Sequence, residues 1–245
     1  MRYFIEFSYK GTHYHGWQSQ PNAISVQATL DKALQTLLRQ DIQTLGSGRT
    51  DTGVHARQQF AHFDTISEIS DCQKLTHKLN AILPFDIAIK RIFQVSDAAH
   101  ARFDATSRSY EYQIITSKNP FLKEYTYFFS PTINLEIMNL AAAKLLGTQD
   151  FASFSKVHTD VNNFICTITE SFWEEKDDLL IFHITANRFL RGMVRAIVGT
   201  LLEVGQGKIQ VTDFEHIIQQ KDRKKAGQNA PPEGLFLTKI TYPFC

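Results

Sequence analysis

Cysteine is scarce in this chain of 245 residues, and the three present, Cys72, Cys166 and Cys245, never stand as a C-x-x-C pair. Their odd number and wide spacing argue against a disulfide framework or a zinc knuckle and fit a reducing compartment. Long apolar runs are missing as well. Arg195 breaks the stretch Leu190–Leu202 and Ala141–Ala143 is short, whereas a bilayer span needs ~20 consecutive apolar residues. The opening MRYFIEFSYK alternates like a strand and lacks the apolar segment of a signal peptide. The expectation is a soluble, cytoplasmic protein with no membrane partner. Excess charge is lacking too, since 26 Lys and Arg against 25 Asp and Glu leave a net +1. No G-K-[ST] follows a glycine loop at P-loop spacing, no G-x-G-x-x-G opens a helix, and no H-E-x-x-H occurs.

What is present is enough apolar sequence, 43%, to bury a substantial core. Charge is also unevenly spread. Between Arg188 and Lys225 stand eight basic residues (Arg188, Arg191, Arg195, Lys208, Lys221, Arg223, Lys224, Lys225) against four acidic ones. That excess fits either one basic surface or an ordinary solvated face. In the first half, Tyr3, Ile5, Phe7 and Tyr9 alternate as a strand. Ser25 then precedes apolar residues at helical period from Val26 to Leu38. Ile42–Leu45 and Gln59–Asp64 read as strands, Leu75–Leu83 as a helix stopped before Pro84, and Ile87–Phe93 as a strand. The order then recurs: strand Arg108–Ile115, helix Leu135–Leu146, strands Asn163–Trp173 and Leu180–Asn187, helix Leu190–Val204 and strand Leu235–Tyr242. A short extra helix near Phe214–Ile218 precedes the loop KDRKKAGQNAPPEG.

This order predicts an α+β chain of two ferredoxin-like (βαββαβ) halves. They are expected to form a mostly antiparallel central sheet with helices on one side. The halves would be 1–104, carrying the loop described next, and 105–245, carrying the basic helix and loop. No sequence identity relates them.

The stretch Gly46-Ser47-Gly48-Arg49-Thr50-Asp51-Thr52-Gly53-Val54-His55-Ala56 is the most informative. Three glycines in eight residues permit close backbone approach and unusual dihedrals, as a ligand-touching loop requires. One arginine and one carboxylate stand between them. A tight hairpin with Asp51 capping a turn uses the same residues.

G-R-T-D-x-G-V-H-A resembles the signature of the TruA-type tRNA pseudouridine synthases, and five further segments are similar to that family's pattern in chain order. Gly11–Gln20 is similar to its G-x-x-Y-x-G-W-Q-x-Q opening, and Ser25-Val26-Gln27 to its usual helix start. His100–Tyr112 resembles its second motif, Phe189–Gly199 its third, and Ala230–Leu237 its C-terminal A-P-x-x-G-L-x-L. Ser109 departs from the pattern, standing where many relatives carry a basic residue. The resemblance implies isomerisation of uridine to pseudouridine at positions 38 to 40 of the tRNA anticodon stem and loop, by a homodimer. It makes Asp51 the nucleophile, Tyr110 the active-site tyrosine and Arg195 the arginine paired with Asp51.

That chemistry suits the residues. Breaking the N-glycosidic bond, turning the ring and joining C5 to C1′ involves no net redox change, hydrolysis or phosphate transfer, so no cofactor and no metal is expected. It needs an ionised carboxylate beside a flipped base, and a nearby cation to keep it ionised in a desolvating pocket. Whether Asp51 adds to the uracil ring or to C1′, or assists a glycal route, stays open. Arg191 and Arg195, four apart, are expected on one helix face. Tyr110 is read as stacking on the flipped uracil, although a sheet aromatic is commonly core. Leu235 would line the other side of the base. Arg49 would replace the lost stacking or hold a phosphate. Arg102 and the Lys221–Lys225 loop, Lys224 included, would hold phosphates.

Two rival readings use the same sequence. A metal-dependent hydrolase would employ His13, His15, His55 and His100 with Asp51, but no metal-ligand spacing appears. A passive RNA-binding module would have no use for an acid aimed at a polyanion.

Overall fold

The computed structural model describes residues 1–156 and 162–244, so Cys245 lies outside the described residues. The chain divides into two compact units, 1–106 together with 237–245, and 107–236. Both are α+β, and their strand pairing is mostly antiparallel.

The first unit runs β1 (Arg2–Tyr9), α1 (Val26–Leu38), β2 (Leu45–Gly46), β3 (His55–Asp64), α2 (Cys72–Ile82) and β4 (Ile87–Val95). Its strands lie in the order β4-β1-β3, antiparallel throughout, with β2 also on β3. Ser25 caps α1 by accepting from the Ala28 N–H at 3.2 Å, and Asp71 caps α2 by accepting from Lys74 at 2.8 Å. The alternation in β1 predicts one buried face, yet both are buried. Tyr3, Ile5, Phe7 and Tyr9 fill one, while Phe4 on the other meets Phe60, Phe93, Tyr242 and Phe244. Glu6, 1% exposed, sits on that second face. Burial alone would raise its pKa, but hydrogen bonds from Gln58, Arg91 and Lys90 outweigh it and hold the carboxyl below its usual range. Lying between β3 and β4, the central strand β1 is covered on both faces, which is why Phe4 as well as its neighbours is apolar.

The second unit runs β5 (Ser107–Ile115), β6 (Tyr127–Phe128), α3 (Leu135–Ala143), β7 (Gly147–Asp150), β8 (Ile165–Lys176), β9 (Leu179–Ala186), α4 (Met193–Gly205) and α5 (Val211–Gln220). The final strand β10 (Leu235–Thr241) contributes from Leu237 onward to the first unit, beside β3. The second unit's sheet has the order β5-β9-β8-β7, with β6 parallel to β5. Its core gathers Tyr112, Ile114, Met138, Phe154, Phe182, Ile197, Leu201 and Phe214. The helix expected to begin at Leu190 begins instead at Met193, after Gly192 at φ 73°. A left-handed residue there breaks helical continuity, so Arg191 precedes the helix and shares no helix face with Arg195. Among the described residues, no helix is long and apolar enough to cross a membrane, and Cys72 and Cys166 are free thiols.

Candidate active site

The loop between β2 and β3 is short of apolar side chains, so neighbouring backbone and buried polar groups hold it. Ser47 N–H donates to Phe60 O at 2.8 Å, and the Ser47 hydroxyl donates to the buried Gln59 amide oxygen. The buried Thr50 hydroxyl meets Tyr9 OH at 2.8 Å. A turn follows, closed by Val54 N–H donating to Asp51 O at 3.2 Å, with Gly53 at φ 79°.

Residues 11–17 brace this loop from outside. Trp17 N–H donates to Thr50 O and Gly53 N–H to Tyr14 O, both at 3.3 Å, and Gly11 N–H donates to His55 Nδ1 at 3.0 Å. An imidazole accepting at Nδ1 is neutral and fixed in its tautomer. Contact is so close that side chains are excluded. A Cβ on Gly11 would stand 2.0 Å from Val54 O, and one on Gly16 (φ 87°) 2.4 Å from Thr50 O. Gly46 similarly lies under the buried Trp17 indole. Two motifs well separated in the sequence thus hold each other around Asp51, which is half-buried while Arg49 is exposed.

Three segments converge in the second unit. Tyr110 lies in β5 opposite Ile184, half-buried, with Phe189 edge-on at 5.1 Å and 87°. Two residues on, Tyr112 is fully buried and its hydroxyl donates to Pro231 O at 2.7 Å. Burial, assisted by nearby Glu233, pushes that phenol up and keeps it a donor. Gly234 packs on the Tyr112 ring. Arg195 stands in the first turn of α4, where the helix dipole already concentrates positive potential. Its Nε donates to Ala230 O at 2.6 Å, and Ala230 N–H returns to Arg195 O at 2.9 Å. Gly227 N–H donates to the buried Thr200 hydroxyl at 2.9 Å, and Gly199 lets the Gln228 carbonyl approach the helix. The loop 227–235, which leads into Leu235, is thus tied both to α4, which carries Arg195, and to β5, which carries Tyr110.

The other expected contacts are scattered. Arg191 and Lys224 are exposed, and Arg102 is exposed on the turn 100–104 of the first unit. Within the basic loop, Lys221 pairs with Asp150 at 3.0 Å and Arg223 donates to Ala226 O, Gly227 O and Asn229 Oδ1. Arg223 thus shapes the loop from within, while Lys221 is exposed and tied to Asp150. No group of three or more His, Cys, Asp and Glu converges on a metal-sized site among the described residues. Sequence reading missed the bracing of the Asp51 loop by residues 9–17 and the hold of Ala230 on Arg195. Gly11, Gly16 and Gly199 were the available signal, since glycine at an otherwise ordinary position marks close backbone approach.

Comparison with known proteins places this geometry in context. A family model described as tRNA pseudouridine synthase matches residues 6–104 and 141–243. The chain is 53% identical over 243 residues to tRNA pseudouridine synthase A of Bacteroides fragilis, covering 99% of this chain and 96% of that protein. It is 52% identical over 245 residues to the protein of that name from Bacteroides thetaiotaomicron, covering 99% and 91%. With that of Thermoanaerobacter pseudethanolicus it shares 42% over 240 residues, covering 97% and 98%. Identity sustained from end to end, and a model match that takes in the Asp51 loop as well as Arg195, show that the chain belongs to the tRNA pseudouridine synthase family.

Proposed function

We propose that this protein isomerises uridine to pseudouridine at positions 38 to 40 of the tRNA anticodon stem and loop. The observation that carries the reading is near-full-length identity to proteins named tRNA pseudouridine synthase A. In the reaction the C1′–N1 bond breaks, the uracil turns, C1′ joins C5, the C5 proton leaves for solvent and N1 takes up a proton, so that substrate and product are isomers. Asp51 is the nucleophile. Its half-buried position on a doubly braced loop supports this, because a reacting group gains from fixed placement. Tyr110 is the ring that stacks on the extruded uracil and Arg195 the cation that keeps the carboxylate ionised. Leu235 lines the base. Arg49 takes the place of the extruded nucleotide or holds its phosphate, and Arg102, Arg191 and Lys224 hold phosphates. No cofactor or metal takes part.

Two ferredoxin-like halves remain part of this proposal, supported in the first unit by the element order β1-α1-β2-β3-α2-β4 with strands β4-β1-β3-β2. So do a homodimeric assembly and a cytoplasmic setting. The test is tritium release from 5-tritiated uridine placed singly at position 38, 39 or 40 of an otherwise unlabelled tRNA, with EDTA present. Release from those positions and not from a label elsewhere is expected. Release only from other positions, or loss of activity in EDTA, overturns the assignment.

A further inference from the structure

Phe103 is 73% exposed, an uncommon state for a large aromatic on a well-held turn. The turn 100–104 is held throughout, Phe103 N–H itself donating to His100 Nδ1 at 3.4 Å. His100 N–H donates to Asp104 Oδ2 at 2.7 Å and Asp104 N–H returns to His100 O at 3.1 Å. Ala101 is gripped on both sides, its N–H donating to His62 Nδ1 at 3.1 Å and its carbonyl accepting from Tyr242 OH. Arg102 N–H donates to His100 Nδ1 at 3.1 Å. The rings form a ladder from the core outward, His62 to His100 at 4.6 Å and His100 to Phe103 at 4.3 Å, and the Arg102 guanidinium lies 5.7 Å from the Phe103 ring centre. Phe85 and Phe121 are also exposed, but among the described residues neither has a ring or guanidinium contact like those of Phe103.

A ring kept in water on a pinned backbone, with a cation alongside, suits one chemistry. An unpaired nucleobase stacks on the aromatic face while its phosphate meets the arginine. Because the turn is already ordered, little conformational entropy is lost on binding. Resting on the tRNA reading above, we propose that Phe103, with Arg102, is a stacking platform for an unpaired base of the RNA substrate. The nucleobase would be met by ring overlap, which any base allows, so the platform contributes affinity rather than sequence choice.

Binding of fluorescently labelled tRNA and steady-state kinetics on the full chain test this. Phe103→Ala is expected to raise Kd by ~10-fold, at the low end of what one stacked base contributes. KM should rise accordingly and kcat change less than KM. Phe103→Trp should restore wild-type binding and Phe103→Leu should not, since leucine keeps apolar surface but offers no π-face. Unchanged Kd in Phe103→Ala, or Phe103→Leu binding as tightly as Phe103→Trp, overturns the platform; the second result would point to apolar docking of a protein partner instead. Absence of pseudouridine from the wild-type reaction is a separate outcome that removes the tRNA reading itself.

Discussion

Replacing Gly16 by alanine tests whether residues 11–17 set the position of the Asp51 loop. Two costs are read from the structure. Gly16 has φ 87°, where a Cβ costs about 1–2 kcal/mol. That Cβ would also stand 2.4 Å from Thr50 O and 3.2 Å from the Asp51 carbonyl carbon, where ordinary contact begins near 3.4 Å. Both neighbours are backbone, so relief requires about 1 Å of movement in the loop, and overpacking of this kind costs about 1–3 kcal/mol. Together these remove about 2–5 kcal/mol from a stability that for most domains is about 5–15 kcal/mol. Over most of that range the protein stays folded at room temperature, but Asp51 is displaced by roughly the distance that costs ~100-fold in rate. Urea unfolding and tritium release measure the two effects. Gly48→Ala is the control for stability, because nothing lies within 4 Å of its added methyl, and it should change unfolding by less than about 0.5 kcal/mol. If Gly16→Ala unfolds and turns over like the wild type, the bracing of the loop has no consequence and the reasoning fails.

Other consequences follow from the same geometry. In most helix interiors Gly→Ala stabilises by about 1 kcal/mol, but a Cβ on Gly199 would lie 1.7 Å from Gln228 O. Gly199→Ala should therefore lower stability by about 1–3 kcal/mol and disturb the Arg195–Ala230 pair; a gain in urea midpoint would refute that packing. Burial, with Arg2 and His100 nearby, depresses His62 from 6.5 to about 4. The unfolded chain thus binds more protons between those values, and stability is full above pH 6.5 and falls as pH drops toward 4. His62→Asn, whose amide oxygen can replace Nδ1, should flatten that fall in urea titrations at several pH values; an unchanged slope would count against it. Phosphate-holding roles for Arg102 and Lys224 predict that either alanine variant reduces the salt dependence of tRNA affinity by about one in log–log slope. An unaltered slope would remove that residue from the interface.

How far the sequence reveals this arrangement depends on what holds each piece. Helix α1 was legible because Ser25 and the apolar period are local signals. Strand β3 begins at His55, four residues before the expected Gln59, since pairing with β1 past the irregularity after Phe7 extends it. Ile42 is buried by packing outside any strand, so its apolar character misplaced β2, which is Leu45–Gly46. Strands β6 and β7 went unseen because Gly147–Asp150 is polar and two-residue Tyr127–Phe128 has no period. Helix α4 shows the limit of spacing arguments. Arg191 and Arg195 have the right separation, but the left-handed Gly192 decides where the helix starts. Asp51, Tyr110 and Arg195 were singled out through motif resemblance; the hydrogen bonds that fix their backbones join residues far apart in sequence and no local pattern encodes them.

Single-turnover tritium release with Asp51→Asn, an isostere that removes the negative charge and keeps the shape, measures the contribution of the carboxylate most directly. The variant should bind tRNA as the wild type does and release no tritium above background. Release at a rate near that of the wild type would show that another group attacks the uridine.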